Sequence, residues 1–177
     1  MQLSRKTLAV RWAWTSVAAL VLLLLLNLLD SALRAKTGYG TTSMQFVGSG
    51  WGIRVIADHW TSPPDAVMAG FLLGLDYLFM LLYGAALFYG SLAAVDRFTG
   101  PNSRGRRWMI LLALAPIGAA IADGLENLLE LYMLTHASTD FTASLALEAT
   151  AAKYLGIAIG LVLTLAALAG KLVKRKA

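Results

Sequence analysis

The chain consists of four long runs of predominantly apolar residues separated by shorter polar connections. A helix needs about twenty such residues to span a bilayer. The pattern predicts spanning helices over residues 12–33, 65–95, 108–135 and 147–172. The connections are too short for a separate soluble domain, so residues 1–177 are expected to form a single transmembrane domain. The predicted fold is an all-α integral membrane four-helix bundle with one structured outer loop.

The first apolar run has one alternative interpretation, a secretory signal, because Arg5 and Lys6 precede it. Its apolar stretch is longer than the about 7 to 15 residues of a signal core, and residues 32–35 match a cleavage site poorly. We therefore interpret this run as a spanning helix.

Basic residues predict the direction of insertion, because Lys and Arg are enriched on the cytoplasmic side of spans. They are concentrated in three segments: Arg5, Lys6 and Arg11; Arg97, Arg104, Arg106 and Arg107; Lys171, Lys174, Arg175 and Lys176. Any four-span arrangement puts these segments on one side. Both termini are therefore predicted to be cytoplasmic, with residues 34–64 and 135–146 outside.

Composition supports a bilayer protein and excludes several functions. The chain is 58% hydrophobic and 14% charged, whereas soluble domains carry about 25% charged residues. The absence of cysteine excludes disulfides, thiolate metal sites and cysteine nucleophiles. The net charge of +5 is accounted for by the basic flanks, which can also contact anionic membrane lipid, so no nucleic-acid partner is predicted.

Each predicted span carries ionisable groups at a similar height, when about 1.5 Å of rise is counted per residue. In the third span four polar residues follow i, i+3, i+4, i+7 spacing, which places them on one helical face. This layer in the outer half of the bundle supplies the candidate ligand-binding residues: Asn27, Asp30, Asp76, Asp123, Glu126, Asn127, Glu130 and Lys153.

The layer has two interpretations. Ionisable groups at this depth cost several kcal/mol unless they are paired, which favours a functional site. One lysine cannot neutralise all the carboxylates, so we expect a site for a cation, a small molecule or a lipid headgroup. The alternative is interhelical packing in an accessory subunit of a membrane complex or in a homo-oligomer. A proton-coupled transporter is a third hypothesis, while enzymatic activity, catalytic residues, cofactors and metal ligands stay unassigned.

Two short segments resemble uncharacterised bacterial four-span membrane proteins. One is the sequence Asp-Gly-Leu-Glu-Asn at 123–127, which follows Pro116. The other is Leu-Asp-Tyr-Leu-Phe at 75–79, with Tyr83 and Gly84 after it. The resemblance implies a multi-pass protein of the bacterial inner membrane and supplies no chemistry.

The long connection at 35–64 is too glycine-rich for a long helix and too aromatic for a disordered linker. Trp51 and Trp60 suit the outer interface, and a short interfacial helix or re-entrant piece is expected between them. The connection is either a lid that adds charged groups to the acidic layer or an interface anchor. The lid residues would be Arg54, Asp58 and His59.

Prolines and glycines give further local predictions. The pair at 63–64 is expected to start the second span, and Pro116 to bend the third and open space for a pocket. Small residues four apart, at 70 and 74 and at 156 and 160, are expected to let helices pack closely. The two histidines lack the helical spacing of metal motifs and are interpreted as surface residues.

Overall fold

Every regular element in the computed structural model is a helix, within the described residues 4–100 and 103–176. The side chain of Arg5 and those from 171 onward lie outside what is described, so the basic clusters predicted there are described only in part. The elements are α1 (Arg5–Thr37), a 3-10 helix (Thr41–Phe46), α2 (Gly50–Asp58), α3 (Pro63–Phe98), α4 (Arg104–Ala113), α5 (Ala115–Thr135) and α6 (Asp140–Lys176).

Four helices are long and apolar enough to cross a membrane: α1, α3, α4 continued by α5, and α6. The predicted number and order of spans are confirmed, but each helix extends beyond the predicted bounds. The fourth, for example, begins at Asp140 rather than at 147. Its first two turns are helical because Ala143 and Ala146 pack into an apolar cluster beneath the loop, a tertiary contact that hydropathy does not register.

The proline predictions are confirmed in position. Pro63 and Pro64 occupy the first turn of α3. Backbone N–H groups in a first turn have no acceptor within the helix, so their absence in proline costs no hydrogen bond. Pro116 lies in the first turn of α5 and interrupts the third span at Leu114. The Leu114 N–H is shared between the carbonyl groups of Ile110 and Leu111, which is typical of a helix terminus.

The helices pack around α3, which contacts α1, α5 and α6, and α5 and α6 also pack extensively against each other. By contrast, α1 and α6 barely touch. Both lie against α3, so the surface of the bundle contains a seam between them. We call it the α1–α6 seam.

The two ends of the bundle are distinct. At the end formed by residues 38–62 and 136–139, termed the loop end, the Gly50 N–H donates to Asp140 Oδ1 at 2.8 Å and so ties α2 to the start of α6. At the opposite end, termed the terminal end, Arg97 Nη2 of α3 donates to the Gly170 carbonyl of α6 at 2.6 Å. The four spans therefore alternate in direction, as predicted.

The loop is a folded part of the molecule. Met44, Ile53, Ile56 and Trp60 are buried against α1, α3, α5 and α6. The predicted short helix is present as α2, and Trp51 is 71% exposed, as an interface residue should be. The same expectation is wrong for Trp60, which is 3% exposed and donates to the Tyr39 carbonyl at 3.0 Å.

The two glycine pairs differ in role. A Cβ on Gly156 would lie 2.6 Å from the Ala115 carbonyl oxygen, and one on Gly160 would lie 2.5 Å from Pro116 Cγ. Close packing of α6 on α5 is therefore confirmed for this pair. It is wrong for the α3 pair, because a Cβ on Gly70 or Gly74 would meet nothing within 4 Å.

Candidate functional site

The polar stripe of α5 is buried along its whole length. Asp123, Glu126, Asn127 and Glu130 face the bundle interior, and the intervening leucines at 125 and 128 are exposed. The single-face prediction is therefore confirmed. The helix turns its apolar side outward and its polar side inward, which is the arrangement required of a helix in lipid.

Lys153 of α6 is the cation that meets this stripe. Its Nζ lies 3.2 Å from Asp123 Oδ1 and 2.8 Å from each carboxylate oxygen of Glu126. Of the two Glu126 contacts only the one to Oε1 has hydrogen-bond geometry, so Oε2 accepts no hydrogen bond. Glu126 is 0% exposed, and the three side chains form a buried ion triad that joins α5 to α6.

Asp76 of α3 completes the layer on the other side. Its Oδ2 accepts a hydrogen bond of 2.7 Å from Asn127 Nδ2. Among the side chains that the structure describes, no lysine, arginine or histidine forms a salt bridge with it. Asp76 is thus held by a neutral amide, while the lysine of the layer is shared by two other carboxylates.

Glu130 lies one helical turn beyond Glu126 and is 0% exposed. Neither of its carboxylate oxygens has a hydrogen-bond partner within the described part of the chain. An ionised carboxylate buried in this way would cost several kcal/mol. Glu130 therefore adds to the excess of carboxyl groups over cations in the layer.

A cavity of about 320 Å³ opens next to the layer, enclosed by α1, α3, α5, α6 and the 3-10 helix. It combines carboxylate, amide and ammonium groups with leucine, isoleucine and aromatic side chains. It is lined by Leu23, Leu26, Asn27, Asp30, Thr41, Thr42, Gln45, Leu72, Leu73, Asp76, Phe79, Tyr83, Asp123, Asn127, Lys153, Tyr154 and Ile157. Six of the eight candidate residues thus share one cavity, whereas Glu126 and Glu130 lie behind its wall.

One tyrosine hydroxyl in the cavity wall is available to a ligand. Tyr83 is 6% exposed, and its Oη makes no hydrogen bond within the described residues. A buried hydroxyl without a partner costs about 1–3 kcal/mol, so a group bound in the cavity would recover part of that energy. The sequence marked Tyr83 only as part of a resemblance and not as a site residue, because an aromatic residue in an apolar span is equally expected from packing.

The two candidate residues of α1 have local roles as well. Asp30 accepts hydrogen bonds from the Thr41 N–H at 2.6 Å, the Thr41 hydroxyl at 2.8 Å and the Thr42 hydroxyl at 2.7 Å, and so caps the 3-10 helix. Asn27 donates back to the Leu23 carbonyl at 2.8 Å. Both still line the cavity, at the point where α1 faces α6.

The loop covers the cavity with different residues from those predicted. Arg54, Asp58 and His59 of α2 and its C-terminus are exposed and do not line it. The 3-10 helix covers it instead, through Thr41, Thr42 and Gln45. The predicted lid residues are charged, whereas the residues that cover the cavity are neutral. They form the roof of the cavity and belong to the 3-10 helix, whose start is held by hydrogen bonds to Asp30.

The space near Pro116 is a second cavity, separate from the acidic layer. It measures about 360 Å³ and lies between α3 and α5, with Met80, Ala85, Ile117 and Ala120 in its wall. Its lining contains none of the candidate residues. The break in the third span beside Pro116 is thus next to a pocket, but the pocket is apolar.

In the portions of the chain that are described, no three histidine, aspartate or glutamate side chains are grouped so as to hold a metal ion. What the cavity offers is an unneutralised carboxylate, an ion triad and an aromatic wall. Comparison of this chain with protein-family models, curated proteins and solved structures finds no match.

Proposed function

We propose that the cavity binds an organic cation, with Asp76 as the anchoring carboxylate. The observation that carries this proposal is the division of charge in the layer. Lys153 is engaged by Asp123 and Glu126, and Asp76 lines the cavity with only an amide hydrogen bond. A positively charged ligand would supply the missing counter-charge among largely buried side chains, where charges attract more strongly than they do in water.

The rest of the lining favours a cation that carries carbon. Three aromatic residues, Phe79, Tyr83 and Tyr154, line the cavity. Aromatic rings attract ammonium groups through their quadrupole, by about 0.5 to 2 kcal/mol depending on desolvation. Leu26 and Leu72 add apolar surface. An amine or quaternary ammonium group, free or in a lipid headgroup, fits this combination.

We place this site in the outer half of the bacterial inner membrane, with both termini cytoplasmic. The basic residues support this orientation, because Arg97, Arg104 and Arg106 all lie at the terminal end and the cavity lies toward the loop end. A ligand would then reach the site from the outer leaflet or from the space beyond it.

Binding of benzyltrimethylammonium, a small organic cation, tests the proposal. Equilibrium dialysis against the protein in nanodiscs should show saturable binding, and Asp76→Asn should weaken it about 10- to 100-fold, as expected for loss of one charge-assisted contact. Glu148→Gln is the matched control, since Glu148 is an exposed carboxylate of α6 outside the cavity. Equal affinity for wild type and Asp76→Asn would contradict the proposal.

An accessory role in a larger complex is the second candidate, and the ion triad favours it. The contacts of Lys153 with Asp123 and Glu126 join two helices, as polar packing would require. Purification in mild detergent distinguishes the accessory role from the cation-binding role. A stoichiometric protein partner, together with no binding of benzyltrimethylammonium, would favour the accessory role.

The proton-coupled transporter has less support. Below the cavity, toward the terminal end, Ala19, Tyr83 and Ala119 pack in an apolar cluster with Leu87 and Ile157. The cavity is therefore closed on that side, as in a one-sided binding site. Uptake of labelled benzyltrimethylammonium into proteoliposomes, driven by a pH gradient and absent from empty vesicles, would favour transport.

A further inference from the structure

We infer that the ligand is an amphiphilic amine that enters the cavity sideways from the bilayer, with its hydrocarbon tail in the α1–α6 seam. This inference rests on the proposed function and adds the ligand class and the route of access. Three features of the cavity support it: an open side, a fixed roof and a small volume.

The open side is the seam itself. Leu23 and Leu26 of α1 and Ile157 of α6 line the cavity from the two edges of the seam. Leu23 is itself 38% exposed, so the cavity reaches the apolar surface of the bundle along the α1 edge of the seam. An opening between such residues leads to hydrocarbon, not to water.

The roof is fixed to both edges of the seam. Asp30 of α1 binds the start of the 3-10 helix through Thr41 and Thr42. Tyr154 of α6 donates from Oη to Gln45 Oε1 at 3.2 Å, and its ring stacks on Phe46 with centroids 6.0 Å apart. The loop end of the cavity is thus covered, and access from the side does not require these contacts to break.

The volume limits what can be enclosed. Small-molecule sites usually measure about 300 to 1,000 Å³, so a cavity of about 320 Å³ holds a headgroup and a few carbon atoms. A longer tail must remain in the seam. A further cavity of about 410 Å³ lies between α1, α3 and α6 toward the terminal end. Leu8 and Trp12 of α1 and Leu168 of α6 are among its lining residues. Open volume in the seam therefore lies on both sides of the apolar cluster that contains Ala19, Tyr83 and Ala119.

Photolabelling tests the position of the tail. The probe is decyltrimethylammonium with a diazirine at the tail end, applied to the protein in nanodiscs. We expect labelling on residues 19–26 of α1 and 157–164 of α6 that excess decyltrimethylammonium removes and that Asp76→Asn reduces at least 5-fold. Diazirine-decanol, which lacks the charge, is the control for non-specific labelling by the surrounding lipid phase.

Substitutions in the seam provide a second measurement. Ile157→Trp should reduce binding of decyltrimethylammonium at least 10-fold, because the larger ring occupies the opening. Leu155→Trp, on the exposed face of the same helix, should leave it within 2-fold. Normal thermal unfolding of both variants establishes that they are folded.

The outcomes separate the two proposals. If benzyltrimethylammonium binds in an Asp76-dependent manner but the tail labels only the 3-10 helix, or labels the seam without competition, sideways access is wrong and the cation site stands. If neither cation binds, the proposed function itself is wrong.

Discussion

At the scale of single residues, the site depends on an unequal distribution of charge. Four carboxyl groups, at 76, 123, 126 and 130, face the single ammonium group of Lys153, an excess of three carboxyl groups. The sequence predicted an excess of the same size over a different set, Asp30, Asp76, Asp123 and Glu126, because the excess follows from counting ionisable residues in apolar spans. The partners were not predictable: the sequence does not say that Lys153 joins Asp123 and Glu126 while Asp76 receives an amide.

Removal of the lysine should be strongly destabilising. Lys153→Met leaves Asp123 and Glu126 buried side by side without a cation, and we expect a loss of about 3–5 kcal/mol in the free energy of unfolding. Thermal unfolding in detergent measures it. Lys36→Met is the control: Lys36 pairs with Asp65 at 2.6 Å, but its side chain is 60% exposed, so the decrease should be much smaller. Equal decreases would show that the buried triad contributes no more than a surface pair.

Substitution of Glu130 should instead stabilise the protein. Its carboxylate is fully buried and makes no hydrogen bond within the described residues, so Glu130→Met removes a desolvated polar group and keeps most of the volume. We expect an increase of about 1–3 kcal/mol in the free energy of unfolding. Urea or thermal unfolding in detergent measures the change, and Glu148→Gln, at an exposed position, should have no effect. A loss of stability would mean that Glu130 has a stabilising partner.

At the scale of the elements, hydropathy predicted the four spans because lipid requires long apolar helices. It did not predict how they pack. The two glycine pairs have the same spacing, yet only Gly156 and Gly160 lie at a helix contact. Spacing defines a face of a helix, and only the fold decides whether another helix covers that face. The 3-10 helix was missed for a similar reason, since its first residues are held by Asp30 from a distant part of α1.

Alanine substitutions should separate the two glycine pairs. In Gly156→Ala the new methyl group would lie 2.6 Å from the backbone oxygen of Ala115, which cannot move without shifting α5. We expect a loss of about 1–3 kcal/mol, as for other overpacked sites. Gly70→Ala meets nothing within 4 Å and removes a helix-destabilising glycine, so stability should be unchanged or slightly higher. Thermal unfolding of the two variants side by side provides the measurement. A clear loss in Gly70→Ala would indicate an additional contact at that face of α3.

At the scale of the whole molecule, the alternation of spans puts the cavity and the arginine cluster of Arg97, Arg104 and Arg106 at different ends. The cavity is covered by the loop end, while Arg97 and Arg106 lie at the terminal end, where Arg106 pairs with Asp96 at 2.8 Å. In a bundle that spans a membrane, such polarity would give the two faces of the membrane different access to the cavity. Counting charges along the sequence predicted this separation of the two ends. The α1–α6 seam could not be predicted in this way, because it depends on which helices contact each other.

The orientation can be measured directly because the chain contains no cysteine. Single substitutions Trp51→Cys at the loop end and Gly100→Cys at the terminal end each introduce one exposed thiol. In intact bacterial spheroplasts, a membrane-impermeant maleimide should label Trp51→Cys and should label Gly100→Cys only after the membrane is permeabilised. The reverse pattern would place the basic flanks outside and the acidic cavity in the cytoplasmic leaflet. An amphiphilic amine would then reach Asp76 from the cytoplasmic leaflet, so the same labelling experiment also determines which leaflet supplies the ligand.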